Sequence, residues 1–191
     1  MLVLASQSPR RAEILRNAGI PFVARPAAVD ETPRNGEAPL DYVTRLAEEK
    51  AVAISAAADD IVLGADTTVV IDGKTLGKPV DEADARRMLS LLAGRRHEVI
   101  TGICFVRGAE RISDSAVTEV WFAAMSEAEI AEYAASGEPL DKAGAYAIQG
   151  LASRYIDKIN GCYFNVVGLP VSMVWNHLRY FTKSTALPRS L

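Results

Sequence analysis

The chain has 191 residues, 49% of them hydrophobic and 24% charged, which is enough apolar material for one core and too ordinary for a disordered, collagen-like or coiled-coil chain. With 21 basic and 24 acidic residues the formal net charge is −3. That argues against a dedicated DNA or RNA coat while leaving room for a local cationic pocket that takes a small anion. No apolar run approaches the ~20 residues of a membrane span. In MLVLASQSPRR the arginines follow a short apolar run, the reverse of a signal peptide. Cys104 and Cys162 are two lone thiols far apart, neither a disulfide framework nor a zinc site. The expectation is a soluble, cytoplasmic protein with no nucleic-acid or membrane partner.

In chain order, Leu2 to Ala5 reads as a short strand and Pro9 to Ala18 as a helix, with Ile14, Leu15 and Ala18 on one face and Gly19 as the stop. A long helix is expected over Leu40 to Ala57, with Leu40, Val43, Ala47 and Ile54 on its apolar stripe. Ile61 to Ile71 is a buried strand that Gly64 interrupts. Asp72-Gly73 then turns the chain back into Thr75-Leu76. Asp81 caps a helix carrying Ala85, Met88, Leu89 and Leu92, ended by Gly94. Val99 to Val106 and Ser115 to Ala123 form a strand pair, and Ser126 caps a helix to about Ala135. Asp141 to Gly150 is rich in Gly and Ala. Arg154 to Ile159 is a short strand or a helical turn, and Pro170 to Phe181 is the last helix. These elements make an α/β (mixed α+β) domain around a mixed sheet. The domain spans 1–181, and 182–191 is a loose tail.

Four places carry unusual chemistry. In Ser6-Gln7-Ser8-Pro9-Arg10-Arg11, Ser8 suits an N-cap and Pro9 the first helical position, so Arg10 and Arg11 fall in the first turn. Cations there oppose the helix dipole at roughly 0.3–1 kcal/mol each. Two of them at a strand-to-helix turn point to a phosphate site, against solvated or acid-paired arginines as the alternative. Asp66, in Gly64-Ala65-Asp66-Thr67-Thr68, places a carboxylate in an apolar strand. It is read as an acid at a strand end facing a cleft, a metal ligand or general base. A turn aspartate capping local amides is an equal reading on residue types alone. Glu31 is a second candidate metal carboxylate, with a solvated loop acid as its ordinary alternative. Lys50 lies on an apolar helix stripe between Ala47 and Ile54, either snorkelling at its edge or pointed at an anion. Lys78 stands in a turn, its backbone kept extended by Pro79. Gln149 offers donor and acceptor atoms that match the edge of uracil or thymine, although a surface loop glutamine is the simpler reading. GKTLGK at 73–78 is one residue short of a Walker loop and Pro79 stands where Ser or Thr belongs. His97 and His177 are isolated, and His97 reads as structural or exposed rather than as a base.

Taken together, LASQSPRR (4–11), VDE (29–31), YVTRLAEEKA (42–51), GADTTVVIDGKTLGKP (64–79), LLAGRRHEVITG (91–102), GEPLDKAGAYAIQG (137–150) and INGCYFNVVGLP (159–170) resemble the Maf family of nucleotide pyrophosphatases, also called Maf-like or septum-formation inhibitor proteins. The resemblance covers nearly the whole chain in order. It implies a two-lobed fold around a mixed, twisted sheet with a substrate cleft, similar to inosine-triphosphate pyrophosphatases. It implies hydrolysis of a nucleoside triphosphate to the monophosphate and pyrophosphate with a divalent metal, Mg2+ or Mn2+. Asp66 matches the family's proton acceptor, and Arg10, Thr67 and Gln149 match positions associated with substrate choice. DKAGAYAIQG is similar to the branch acting on dTTP and UTP. The branch preferring 7-methyl-GTP usually has glutamate at the position of Gln149. Gln7 departs from the family, which often has a small residue there.

The mechanism expected from both lines places triphosphate oxygens on Ser8, Arg10, Arg11, Lys50 and Lys78. The metal lies between phosphate oxygens and the carboxylates of Asp66 and Glu31, and Asp66 activates water for attack on the α-phosphorus. A purine-directed pyrophosphatase and a nucleotide-binding regulator of cell division with little hydrolysis are the rival readings. A homodimer fits such a chain, although no patch in the sequence marks an interface.

Overall fold

The computed structural model describes residues 1–184. Its elements follow in the order β1 (Leu2–Ala5), α1 (Pro9–Asn17), β2 (Val23–Ala24), α2 (Pro39–Val52), β3 (Ile61–Ile71), β4 (Lys74–Leu76) and α3 (Glu82–Leu92). Then come β5 (Arg96–Arg107), β6 (Glu110–Phe122), α4 (Glu127–Ala135), β7 (Ile156–Asn160), α5 (Tyr163–Val167) and α6 (Val171–Ser184). Short 3-10 turns at Glu138–Asp141, Ala143–Ala145 and Leu151–Tyr155 join α4 to β7. Local chemistry sets many of these boundaries. Ser8, Asp81 and Ser126 cap α1, α3 and α4 with their side chains, and Glu129 completes a capping box at the last. Asp72 and Gly73 both take positive φ, 52° and 72°, which is what a tight primed turn between β3 and β4 requires.

The strands form one mixed sheet in the order β2-β1-β3-β5-β6-β7, with β4 also on β3. β1 lies parallel to β2 and β3, and the other pairs are antiparallel. β3 is the key strand. On one edge it pairs with β5 over most of its length. On the other edge β1 stops at Ala5, opposite Gly64, and β4 begins only at Leu76, opposite Val69. Residues 65–68 therefore have a sheet neighbour on one side only, and the break opens the sheet at that point.

Side-chain alternation divides the core. One face of the sheet meets α2: Val62 and Cys104 pack with Ala47 and Ala51, and Val70 and Ile100 pack with Val43. The other face carries two groups. Leu63, Ala65, Ile103 and Phe105 pack with residues of α1 and α6. Val69, Ile71 and Val99 pack with residues of α3 and α4. Thr67 falls on that face between the two groups, and Ile148 packs against both. The seam between the groups and the break in the sheet edge meet at the same residues.

Several boundaries differ from the sequence reading. α2 ends at Val52 rather than Ala57, Leu40 is exposed, and Ile54 reaches the core from the turn beyond the helix. Ala18 is exposed at the cap of α1. Gly64 does not interrupt β3. A Cβ on Gly64 would lie 2.0 Å from the Ala47 carbonyl oxygen, and one on Gly102 2.5 Å from that of Val43, so both glycines let α2 lie directly on the sheet. The segment left open at 154–159 is both a helical turn and a strand. β2 and α5 had too few residues to show a period. The last helix continues through Ser184, past the expected start of the tail, and residues 185–191 lie outside the described residues. Among the described residues no helix is long and apolar enough to cross a membrane. Cys104 and Cys162 are free thiols, as expected.

Candidate active site

A cleft of about 810 Å³ opens at the sheet break. Its volume is in the range of small-molecule sites. Arg10, Arg11, Lys50, Lys78 and Lys142 line it against the acids Glu31, Asp66 and Asp141. A chain with negative net charge thus gathers a positive excess at one place, which suits a polyanion.

Asp66 sits in the middle of β3 rather than at a strand end. It borders open space because the neighbouring strand is missing there, not because β3 stops. It faces α2, and the close approach licensed by Gly64 brings Lys50 onto it. Lys50 is not an edge residue with its ammonium in solvent: it is 7% exposed. Its Nζ lies 2.6 Å from Asp66 Oδ1 and 2.5 Å from Glu31 Oε1. Burial pushes the Asp66 carboxyl above the ordinary carboxylate range, with Lys50 and Arg11 pulling it back only in part. Glu31 behaves oppositely. Burial would raise it, but the hydrogen bond and charge of Lys50, with Lys78 and Arg11 beyond, hold it low. The two acids therefore divide into one with raised proton affinity and one kept ionised. Tyr42 fixes the Glu31 loop by donating its hydroxyl to the Glu31 carbonyl at 2.9 Å. Burial, together with Asp66 and Glu31, pushes that phenol up to about 12, so it remains a donor.

Arg11 does not extend into solvent at the helix start. It is buried; Nε donates to the Gly168 carbonyl at 2.8 Å, Nη1 to Ser6 Oγ at 3.1 Å and Nη2 to Thr67 Oγ1 at 3.0 Å. Thr67 Oγ1 lies 2.9 Å from Thr101 Oγ1. Burial works against the charge of this guanidinium, and Asp66 favours it. Arg11 thus ties α1 to β3 and to the turn after α5, and supplies fixed positive charge behind the cleft wall. Ser8 is occupied at the helix start, its amide on Ser6 Oγ and its hydroxyl accepting from the Arg11 amide. Gln7, an exposed residue, lines the cleft beside it.

Arg10 reaches across to the other side. Nη1 lies 3.1 Å from Asp141 Oδ2 and Nη2 3.3 Å from the Asp141 carbonyl oxygen, 131 residues along the chain. Lys142 also pairs with Asp141 and donates to the Glu138 carbonyl at 3.0 Å. Lys78 is exposed on the cleft with no ion pair among the described residues. Gln149 is exposed on the wall and its amide makes no hydrogen bond among the described residues. Every candidate catalytic, phosphate-binding, metal-binding or base-reading residue named from the sequence lines this one cleft. Tyr42, Asp141 and Lys142 line it too and were missed. Asp141-Lys142 had a signal, an acid beside a lysine in a Gly/Ala-rich stretch, whereas Tyr42 on an amphipathic helix had none. His97 is buried outside the cleft lining. Its Nε2 lies 2.9 Å from the Tyr146 hydroxyl, and burial drives its pKa down to about 4. It is neutral and structural.

Chemically, the arrangement can hold a chain of phosphates between the cations while one buried carboxylate accepts a proton beside them.

Residues 1–181 match the family described as Maf-like protein. A dTTP/UTP pyrophosphatase of Koribacter versatilis is 50% identical over 179 residues, covering 93% of each chain. One of Anaeromyxobacter dehalogenans is 53% identical over 175 residues, covering 90% of this chain and 89% of the relative. Among solved structures, the Staphylococcus aureus Ham1 protein aligns with a TM-score of 0.46 at 17% identity, over 64% of this chain and 71% of that one.

Proposed function

The chain belongs to the Maf-like protein family, and from that premise we propose that it is a nucleoside triphosphate pyrophosphatase that hydrolyses dTTP and UTP to the monophosphate and pyrophosphate. The observation that carries the reading is Asp66: a buried carboxylate of raised proton affinity, held by Lys50 on the floor of a cleft with excess positive charge.

In this mechanism Arg10, Lys78 and Lys142 bind the triphosphate from opposite walls, while Lys50 and the buried Arg11 supply charge from beneath. Ser8 and Gln7 bring the start of α1 against the phosphates, the positive end of the helix. A nucleotide phosphate competes with Asp141 for Arg10 and Lys142. Asp66 takes a proton from water as its oxygen attacks the α-phosphorus; the bond to the β-phosphate bridging oxygen breaks and pyrophosphate leaves with the electron pair. The cations stabilise the charge on that leaving group. Lys50 favours the ionised form of the Asp66 carboxyl against the pull of burial. Gln149, with Arg10 and Thr67, reads the base. Its amide both donates and accepts, as the pyrimidine imide edge demands.

The donor set also suits a divalent cation. Asp66 and Glu31 bring two carboxylate oxygens to one cationic position, now the Lys50 ammonium. Hard oxygen ligands are those that Mg2+ and Mn2+ prefer. Among the described residues no three His, Cys, Asp or Glu side chains converge on such a point, so substrate phosphates and water would complete the shell. When bound there, the metal supplies charge neutralisation on the phosphates.

The test is pyrophosphate release from dTTP, UTP, CTP, GTP, ITP and 7-methyl-GTP with Mg2+ or Mn2+. Turnover led by dTTP and UTP is the expected result. Purine-led turnover discards the role of Gln149, and no turnover of any of them discards the activity.

A further inference from the structure

Gln149 stands on the cleft from a tight turn that is held from outside. The Gly150 amide donates to the Ala147 carbonyl at 3.1 Å, which leaves Ile148 and Gln149 at the tip. Ile148 packs into the core groups on both sides of the seam, whereas Gln149 is exposed on the cleft. Each leg of the turn has its own anchor. On one, the Ala147 amide donates to the Tyr133 hydroxyl at 3.2 Å. On the other, the Leu151 amide donates to Glu138 Oε2 at 3.1 Å. The Tyr133 hydroxyl in turn donates to Glu138 Oε1 at 2.7 Å, which closes the brace.

Glu138 fits this place in shape and in chemistry. A Cβ at position 150 would lie 2.2 Å from its Oε2, so the carboxylate fills the space that a glycine leaves beside the turn. Both its oxygens face donors, and an ionised carboxylate offers acceptors alone. A glutamine would set its NH2 against one of those donors. Tyr133 is buried, and burial together with the Glu138 carboxylate pushes its phenol up, so it stays protonated and donates. The short turn Glu138–Asp141 also serves the phosphate side of the cleft, since Lys142 donates to the Glu138 carbonyl at 3.0 Å.

We propose that Glu138, acting with Tyr133, is a positioning residue for base selection: it fixes the turn so that the Gln149 amide is in place before the pyrimidine edge arrives. The inference rests on the base-reading role of Gln149 given above. Tyr133 and Glu138 lie outside the cleft lining, so they act through Gln149 rather than on the nucleotide. An amide on a loose turn loses conformational freedom when it binds, and it can tilt to suit a wrong base. Braced at both legs, the amide is ordered beforehand, and a mismatched edge leaves its donor or acceptor unpaired.

The experiment measures kcat and KM for dTTP and for GTP in the wild type, Glu138→Gln, Gln149→Ala and the double variant. Glu138→Gln keeps the bulk beside Gly150 and gives up one of the two bonds. The ratio of kcat/KM for dTTP to that for GTP falls about tenfold, the scale of one hydrogen bond to the base. The fall comes through a higher KM for dTTP, with the GTP constants unchanged. In the Gln149→Ala background, Glu138→Gln lowers the ratio no further. A wild-type ratio in Glu138→Gln overturns the proposal. So does an equal loss for both nucleotides that persists in the Gln149→Ala background, since that marks a general role in holding the wall. Where Glu138→Gln does not fold, Tyr133→Phe, which keeps the buried ring, decides by the same ratio. A wild-type ratio in Gln149→Ala is a different failure: it removes the base-reading role itself, and the proposal with it.

Discussion

Gly64→Ala adds a single methyl group to the floor of the site, and its cost follows from backbone contacts rather than from any lost interaction. The new Cβ would lie 2.0 Å from the Ala47 carbonyl oxygen and 2.7 Å from the Ala51 amide nitrogen. Both are backbone atoms of α2, so no flexible side chain can yield. To reach ordinary contact at 3.4 Å the helix must retreat by about 1.4 Å. Overpacking of this kind costs about 3 kcal/mol, which lowers Tm by about 6–12 °C in a chain of this length. Lys50 lies between Ala47 and Ala51 on the same helix, so the retreat also stretches its 2.6 Å contact with Asp66. Misplacement on the scale of 1 Å costs about 10²-fold in rate. Thermal melting followed by circular dichroism, with pyrophosphate release at 25 °C where the variant is folded, reads both effects. A variant with wild-type Tm and wild-type turnover would refute the claim that this glycine sets the distance between α2 and the catalytic strand.

Asp66→Asn abolishes pyrophosphate release while the fold persists, and its Tm at neutral pH is no lower than that of the wild type. The folded carboxyl titrates above its unfolded value of 3.8, so its favourable contribution is complete below that value and is lost as pH rises through the folded one. The Tm difference between the two proteins therefore shrinks on acidification, which melts between pH 7 and pH 4 would show. For the wild type, the acid limb of kcat/KM lies above the ordinary carboxylate range, and Lys50→Met moves it higher by removing the opposing cation; an unmoved limb in a folded variant excludes Asp66 as the titrating base. Gln149→Glu loses the donor that a pyrimidine carbonyl needs, so dTTP and UTP turnover falls by at least about tenfold relative to GTP; an unchanged substrate profile would show that this amide does not read the base. Asp141→Asn frees Arg10 and Lys142 from their counter-ion, which lowers KM for the triphosphate and strengthens inhibition by pyrophosphate, as steady-state kinetics would measure.

The caps at Ser8, Asp81 and Ser126, the turn at Asp72-Gly73 and the ends of β1 and β3 were legible in the sequence, because each rests on residues within a few positions of one another. The candidate residues were legible as well, by residue type and by resemblance, and all of them line one cleft. Their working arrangement was not. Asp66 borders open space because β1 ends and β4 has not begun, a fact of strand pairing between segments far apart in the chain. Lys50 became the partner of two acids because Gly64 and Gly102 admit α2 to backbone contact. Arg11, one position from Arg10, is buried in a hydrogen-bond network while Arg10 spans the cleft, since a helix turns neighbouring side chains by about 100° onto different surroundings. Periodicity, caps and turns are local free energies and are written in adjacent residues. Burial, charge pairing and the resulting proton affinities depend on which distant segments share a dielectric environment, and that is decided only when the sheet and its helices have closed around the site.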